Sequence, residues 1–141
     1  MCALPTRTSR DGGLGVTALV VLLVLLVAPV LALWRLSPVI DWRVLVGVPL
    51  AVSFFTWLAY GSDKRRAEAG EWRIPEATLH LGELLGGWPG AFLAQRQFRH
   101  KTSKISYQIL FWLVVLLHQF VAVDFLLGWR LTKGLLPFFK T

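Results

Sequence analysis

The chain has 141 residues, of which 55% are apolar and 16% charged, and its 15 Lys and Arg against 8 Asp and Glu give a net charge of +7. Soluble domains carry roughly 25% charged residues, so this composition argues against a soluble globule and excludes a disordered chain. A chain this basic and this apolar reads first as a membrane protein. Its single cysteine, Cys2, excludes an intrachain disulfide and a cysteine metal cluster.

Residues 14–34 form a run of 21 without a charge. At helical rise that is about 31 Å, which matches a hydrocarbon core of roughly 30 Å. Arg7 and Arg10 precede it, as they would in a secretory signal. The run exceeds a signal's apolar region of about 7–15 residues, and no clear A-x-A site follows, so an uncleaved span is expected. Residues 44–62 are a second uncharged run, of 19 residues, containing Pro49. Trp42, Trp57 and Tyr60 stand near its ends, where interfacial anchors belong. Residues 105–123 are a third, also of 19 residues, with His118 and Gln119 in its second half.

The segment 77–95 differs from these. It is apolar but holds His80 and Glu83, and Gly86, Gly87, Pro89 and Gly90 break it. Neither half is long enough to cross, so it is read as a re-entrant hairpin or a kinked fourth helix. The expected fold is therefore an all-α membrane protein with three full transmembrane helices plus this broken element. Lys and Arg set the sides. Residues 63–76 carry Lys64, Arg65, Arg66 and Arg73; residues 96–104 carry Arg96, Arg99, Lys101 and Lys104. The rule places both stretches in the cytoplasm, which requires that 77–95 not cross, and then places the N-terminus inside and the C-terminus outside. Four spans with both termini inside is the alternative, and the basic C-terminal tail favours it in part.

Four groups of residues could carry chemistry. Tyr60, Gly61, Asp63, Lys64, Arg65 and Arg66 lie where the second span ends, and a topological stop signal explains most of them. Glu76, His80 and Glu83 have i, i+4, i+7 spacing on one helical face behind Pro75. Such a set can act as acid and base or weakly suggest a metal site; a capped helix with a polar stripe explains it as well. Glu83 beside a glycine break in an apolar segment is an ionisable group of the kind that defaults to function. Gly82, Gly86, Gly90 and Ala94 repeat the small-x-x-x-small pattern of close helix packing. Arg99, His100, Lys101 and Lys104, with Thr102 and Ser103, offer charge and hydrogen bonds to phosphate. No nucleophile elbow, H-E-x-x-H motif or P-loop occurs, and no cofactor is implied.

Four ordered motifs carry a family resemblance: Tyr60-Gly61-x-Asp63-Lys64-x-x-Ala67, Trp72-Arg73-Ile74-Pro75-Glu76, Gly86-Gly87-x-Pro89-Gly90-Ala91 and Arg99-His100-Lys101-Thr102-x-Lys104. They resemble the bacterial membrane family known as domain of unknown function 1294, over about residues 44–123. Tyr107 stands where that family's basic motif usually runs on to phenylalanine, an exchange expected to keep an aromatic anchor and to change little. The resemblance implies a bacterial membrane protein and no established activity. Some relatives carry a cold-shock, nucleic-acid-binding domain ahead of the membrane part, which implies a cytoplasmic N-terminus. The 13 residues ahead of the first span are too few for such a domain. The organisation expected is a short basic tail at 1–13, an extra transmembrane helix and loop at 14–43, the family-like membrane domain at 44–123 and a tail at 124–141.

These readings converge on a multi-pass inner-membrane protein with a cytoplasmic basic face. Lys64, Arg73, Arg99, His100, Lys101 and Lys104 are its candidate anion-binding residues, supported by Asp63, Glu76 and Glu83. The anion is a lipid headgroup, a nucleic-acid backbone or a phosphorylated metabolite. Two alternatives stand beside it. One is a membrane-embedded enzyme using Glu76, His80, Glu83 and His100. The other is a channel or transporter subunit that oligomerises through Gly82, Gly86 and Gly90.

Overall fold

The computed structural model describes residues 14–99 and 101–139, so the Cys2, Arg7, Arg10 and His100 readings lie outside the described residues. Among these residues, three helices are long and apolar enough to cross a membrane: α1 (Val16–Leu36), α2 (Trp42–Glu68) and α5 (Ile105–Leu126). Between α2 and α5 lie α3 (Glu76–Gly82), a wide turn over Glu83–Gly87, and α4 (Trp88–Phe98). A short α6 (Arg130–Leu135) and a single 3-10 turn (Leu136–Phe139) follow α5.

Helix α2 begins when the Asp41 carboxylate accepts the Arg43 N–H at 2.8 Å, an N-terminal cap. It passes Pro49 and continues to Glu68, beyond the uncharged run. The first basic motif is therefore the last turns of a helix and not a loop. Large apolar side chains such as Leu23, Val24, Leu50, Phe55, Leu113 and Leu116 face outward, as a lipid-facing belt does. The inner faces close on Tyr60, Leu79, Trp88, Ala91, Phe92, Tyr107, Phe111 and Val115.

Contacts with α2 give the course of the broken segment. The Ile74 N–H donates to Asp63 at 3.0 Å, near the end of α2. Gly82 and Gly87 then lie against Thr56, two turns lower, and Gly90 lies against Ser53. From there the chain climbs again: Trp57 Nε1 donates to Gln97 at 3.0 Å, the Phe98 ring covers Gly61, and Lys64 Nζ donates to the Phe98 carbonyl at 2.5 Å. The segment enters and leaves at the same end of α2. Each arm of about 11 residues is roughly 17 Å long, about half of a hydrocarbon core. Gly86 makes the reversal, with φ of 107° and ψ of 5°, a conformation that costs glycine little and other residues much.

The remaining spans share this polarity. Residues at the start of α1, from Gly15 to Val21, line a groove with Gln95, Arg96, Arg99 and Thr102 at the end of α4. Further down, Gln119 Nε2 donates to the Leu25 carbonyl at 2.7 Å, and the Arg35 guanidinium donates to the Leu126 carbonyl. Thus α1 and α5 run in the same direction, both starting at the end where α2 and the hairpin finish. The two basic stretches lie together at that end. At the other end Asp124, fully buried, accepts the backbone N–H groups of Leu131 and Thr132 and the Thr132 hydroxyl. This carboxylate folds the tail back as α6, after positive φ angles at Gly128 and Trp129.

Two measurements test this course. With Cys2 replaced by Ser, single cysteines at Ala69 and Ser103 should react with a membrane-impermeant thiol reagent from one side only, and a cysteine at Ser37 from the other. Labelling of Ala69 and Ser103 from opposite sides would contradict the hairpin. A Cβ on Gly90 would lie 2.0 Å from the Ser53 carbonyl oxygen, whereas one on Gly47 meets nothing within 4 Å. Gly90→Ala should therefore destabilise the protein by about 1–3 kcal/mol or more, and Gly47→Ala should leave thermal stability in mild detergent nearly unchanged.

Candidate functional site

The inner surface of the hairpin builds a buried polar cluster with α2 and α5. Tyr60, one turn short of the basic end of α2, is fully buried. It is not the interfacial anchor that its position in the sequence suggests. Its hydroxyl donates to Glu83 Oε1 and lies 2.5 Å from the Tyr107 hydroxyl. Tyr107 donates to the same carboxylate oxygen at 3.1 Å, and Gln95 Nε2 donates to the Tyr60 hydroxyl at 3.1 Å. His80 Nδ1 lies 2.7 Å from the other oxygen of Glu83. Gln108 Nε2 extends the network to Gln95 Oε1 at 2.8 Å and to the Lys101 carbonyl at 3.1 Å.

The local sequence explains the convergence. The run from Glu76 is helical, so His80 and Glu83 share a face directed at α2 and α5. The wide turn at Glu83–Gly87 lets the chain reverse directly below the carboxylate. Gln95 comes back on α4 to the level of Tyr60. Tyr107, in the first turn of α5, supplies a hydroxyl that phenylalanine lacks. The Tyr107 hydroxyl thus gives a buried carboxylate a hydrogen-bond donor, more than an aromatic anchor does. A buried carboxylate persists only with such donors around it.

A second, charged layer lies above the first. Asp63 is fully buried. It accepts the Ile74 N–H at 3.0 Å, with Lys101 Nζ at 3.3 Å and Arg73 Nη2 at 3.5 Å. The Lys101 side chain is only 4% exposed; its ammonium also lies 3.7 Å from Glu76 and 4.9 Å from the Tyr107 ring centre. Lys104 pairs with Glu76 at 2.7 Å. That hydrogen bond, foremost, holds the Glu76 carboxyl below its ordinary range. Lys64 caps the last carbonyls of α4 through Phe98 and lies 3.9 Å from Glu68. Together these contacts tie the entry and exit of the hairpin to α2.

Of the candidates in the sequence, Asp63, Arg73, Glu76, Lys101 and Lys104 meet in this charged layer, and Lys64 lies beside it. Arg99 ends α4 in the left-handed region at φ of 48° and lines the groove against α1. Glu83 and His80 belong to the layer beneath. Glu76 turns to Lys101 and Lys104, while His80 turns to Glu83. Among the described residues no group of three His, Cys, Asp or Glu side chains is placed to hold a metal ion. Gly82 and Gly90 pack against α2 of the same chain, and Gly86 forms the hairpin's reversal. Sequence reasoning did not give Tyr60, Gln95, Tyr107 and Gln108 their shared role. The available signal was polar side chains inside or bordering apolar runs, which in a membrane need partners.

The two layers predict different sensitivities. Asp63→Asn leaves the buried Lys101 ammonium with Glu76 as its carboxylate among the described residues, so it should cost about 3 kcal/mol, the lower end for a broken buried pair. Lys104→Gln, at a half-exposed position, should cost less than about 1 kcal/mol. Because the Glu76 carboxyl is depressed, that small contribution is complete above the ordinary carboxylate range. It is lost as pH falls through the depressed value. Thermal unfolding of both variants from neutral to acid pH checks the order and the sign.

Residues 53–107 match the family described as protein of unknown function (DUF1294). The chain is 42% identical over 48 residues to a protein of Bacillus subtilis (strain 168) called Uncharacterized protein YsdA, an alignment covering 34% of this chain and 54% of that relative. The chain thus spans about half the length of the curated relative it matches. No solved structure matches it. All four motifs fall within 53–107: they form the end of α2, the hairpin's entry, its reversal and its exit, so this membrane protein resembles the DUF1294 family in the part that builds the hairpin and its charged layer.

Proposed function

We propose that this bacterial inner-membrane protein has the start of α1 in the cytoplasm and binds the phosphate groups of anionic lipid headgroups at its basic end. The positive-inside rule supports that orientation. The stretches 63–76 and 96–104 hold eight Lys and Arg against four Asp and Glu. The observation that carries the binding reading is the groove between the start of α1 and the end of α4, lined by Thr17, Gln95, Arg96, Arg99 and Thr102. Asp63 and Glu76 take up Arg73, Lys101 and Lys104. The Arg96 guanidinium instead rests on the Phe92 ring, 3.5 Å from its centre, and donates to the Phe92 carbonyl at 3.4 Å. This holds it at the membrane border with donors to spare. Guanidinium groups suit phosphate oxygens because they present paired donors.

Juxtamembrane basic residues are each worth about 1 kcal/mol toward an anionic surface. The double variant Arg96→Gln/Arg99→Gln should therefore retain phosphatidylglycerol about 20–30-fold less well in mild detergent. Phosphatidylcholine retention should not change. Rising salt should weaken retention of the anionic lipid, because exposed charges are screened. Retention that ignores both the substitutions and the salt would refute the reading. Equal binding of an oligonucleotide by the same arginines would move it to a nucleic-acid backbone.

A further inference from the structure

Beyond α5 the chain leaves a set of large apolar side chains exposed. Leu131, Leu135, Leu136, Phe138 and Phe139 all face outward, the last two at 78% and 82% exposure. Yet the segment is folded and tied to the last turns of α5. Buried Asp124 accepts the Leu131 and Thr132 N–H groups at 2.9 and 3.3 Å and the Thr132 hydroxyl. The Trp129 N–H donates to the Asp124 carbonyl at 2.8 Å, and the Trp129 ring meets Phe125 edge-on with centres 6.1 Å apart.

These contacts set the depth of α6. Helix α5 starts after Lys104, which pairs with Glu76 in the charged layer at the opposite end. From Lys104 to Asp124 the helix rises about 30 Å, the thickness of a hydrocarbon core. Because Asp124 accepts its first N–H groups, α6 begins level with the far membrane border and not out in water. The residue pattern suits that depth. At 100° per residue Leu131 and Leu135 share one side of α6, and Arg130 and Lys133 share the opposite side. Residues 125–141 contain Lys and Arg but no Asp or Glu. An apolar side, a cationic side and a tryptophan at the border are the features of a segment lying in the plane of the interface.

We propose that α6 and the turn after it form a second membrane-contact surface, whose partner is the anionic phospholipid of the leaflet at the Asp124 end. Leu131, Leu135, Phe138 and Phe139 enter the acyl boundary, about 5–10 Å deep for helices of this kind. Arg130 and Lys133 reach the headgroup phosphates. Asp124 is a positioning residue that holds the segment against the end of α5. With the start of α1 in the cytoplasm, this end faces away from it, where the positive-inside rule calls for no Lys or Arg. Contact with phosphate gives the basic tail its reason. The surface lies at the opposite end from the Arg96 and Arg99 groove, so either can fail while the other stands.

The test uses the full chain with Cys2→Ser in lipid nanodiscs, carrying a nitroxide on a single cysteine at Arg130, Leu131, Lys133 or Leu135. All four positions are exposed, so the fold does not depend on them. Oxygen, which concentrates in lipid, and a water-soluble nickel chelate read the depth of each label. Labels at Leu131 and Leu135 should favour oxygen, and labels at Arg130 and Lys133 should favour the chelate. Equal access of the chelate to all four would put the segment in water and overturn the proposal. Low access of both reagents at Leu131 and Leu135 would mean a protein cover, a second copy of the chain included, and overturns it too. With the label at Leu135, Arg130→Gln/Lys133→Gln should raise chelate access several-fold in phosphatidylglycerol discs and leave it unchanged in phosphatidylcholine discs. The same response in both lipids overturns the contact with anionic headgroups.

Discussion

A carboxyl group inside a membrane protein must be surrounded by hydrogen-bond donors, and the fold meets that demand at Glu83. Its donors come from separate elements: Tyr60 on α2, Tyr107 on α5 and His80 on its own arm, with Gln95 on α4 bonded to Tyr60. None of these helices can shift without leaving a polar group unpaired, which costs about 1–3 kcal/mol for each neutral group and more for a charge. The requirement thus acts as a specification of geometry. The hairpin has to descend far enough to place Glu83 beside Tyr60 and then return to bring Gln95 to the same level.

Close backbone approach makes that geometry attainable. Gly82, Gly87 and Gly90 let the hairpin lie directly on Ser53 and Thr56 of α2. In a bilayer there is little hydrophobic gain from joining two helices, so van der Waals contact and hydrogen bonds must hold them. The charged layer completes the closure from above. Asp63 holds both sides of the hairpin, through Ile74 and Arg73 at its entry and Lys101 at its exit. Glu76 at the entry holds Lys101 and Lys104 at the exit. The same pairs neutralise part of the basic face, and the cations toward α1 lie along a separate groove.

Much of the architecture was legible along the chain. The three spans follow from uncharged runs long enough to cross, because hydrocarbon excludes charge and sets a minimum length. The broken segment was marked by Gly86, Gly87, Pro89 and Gly90 and by being too short in each half. Two opposing signals, a basic stretch at 96–104 and a basic tail, left its course open. The tail's own structure was not legible: Asp124 reads as the end of a span, yet its side chain caps the start of α6. Tyr60 reads as an interfacial aromatic and Tyr107 as an aromatic anchor, since one sequence cannot show which face of a helix another element covers.

The sequence by itself determined that the protein crosses a membrane, where its spans lie, which stretches are basic and that Glu83 is an ionisable group in an apolar setting. Those properties are local, set by side-chain transfer energies and helix length. Tertiary structure alone decided that the broken segment returns to the end of α2 from which it set out. It also decided that Asp63 joins both ends of the hairpin, and that Glu83, His80, Tyr60, Tyr107 and Gln95 form one network. These depend on contacts between residues as much as 47 positions apart, and such contacts follow from the reversal at Gly86 and the close approach of α4 to α2, which no local pattern encodes.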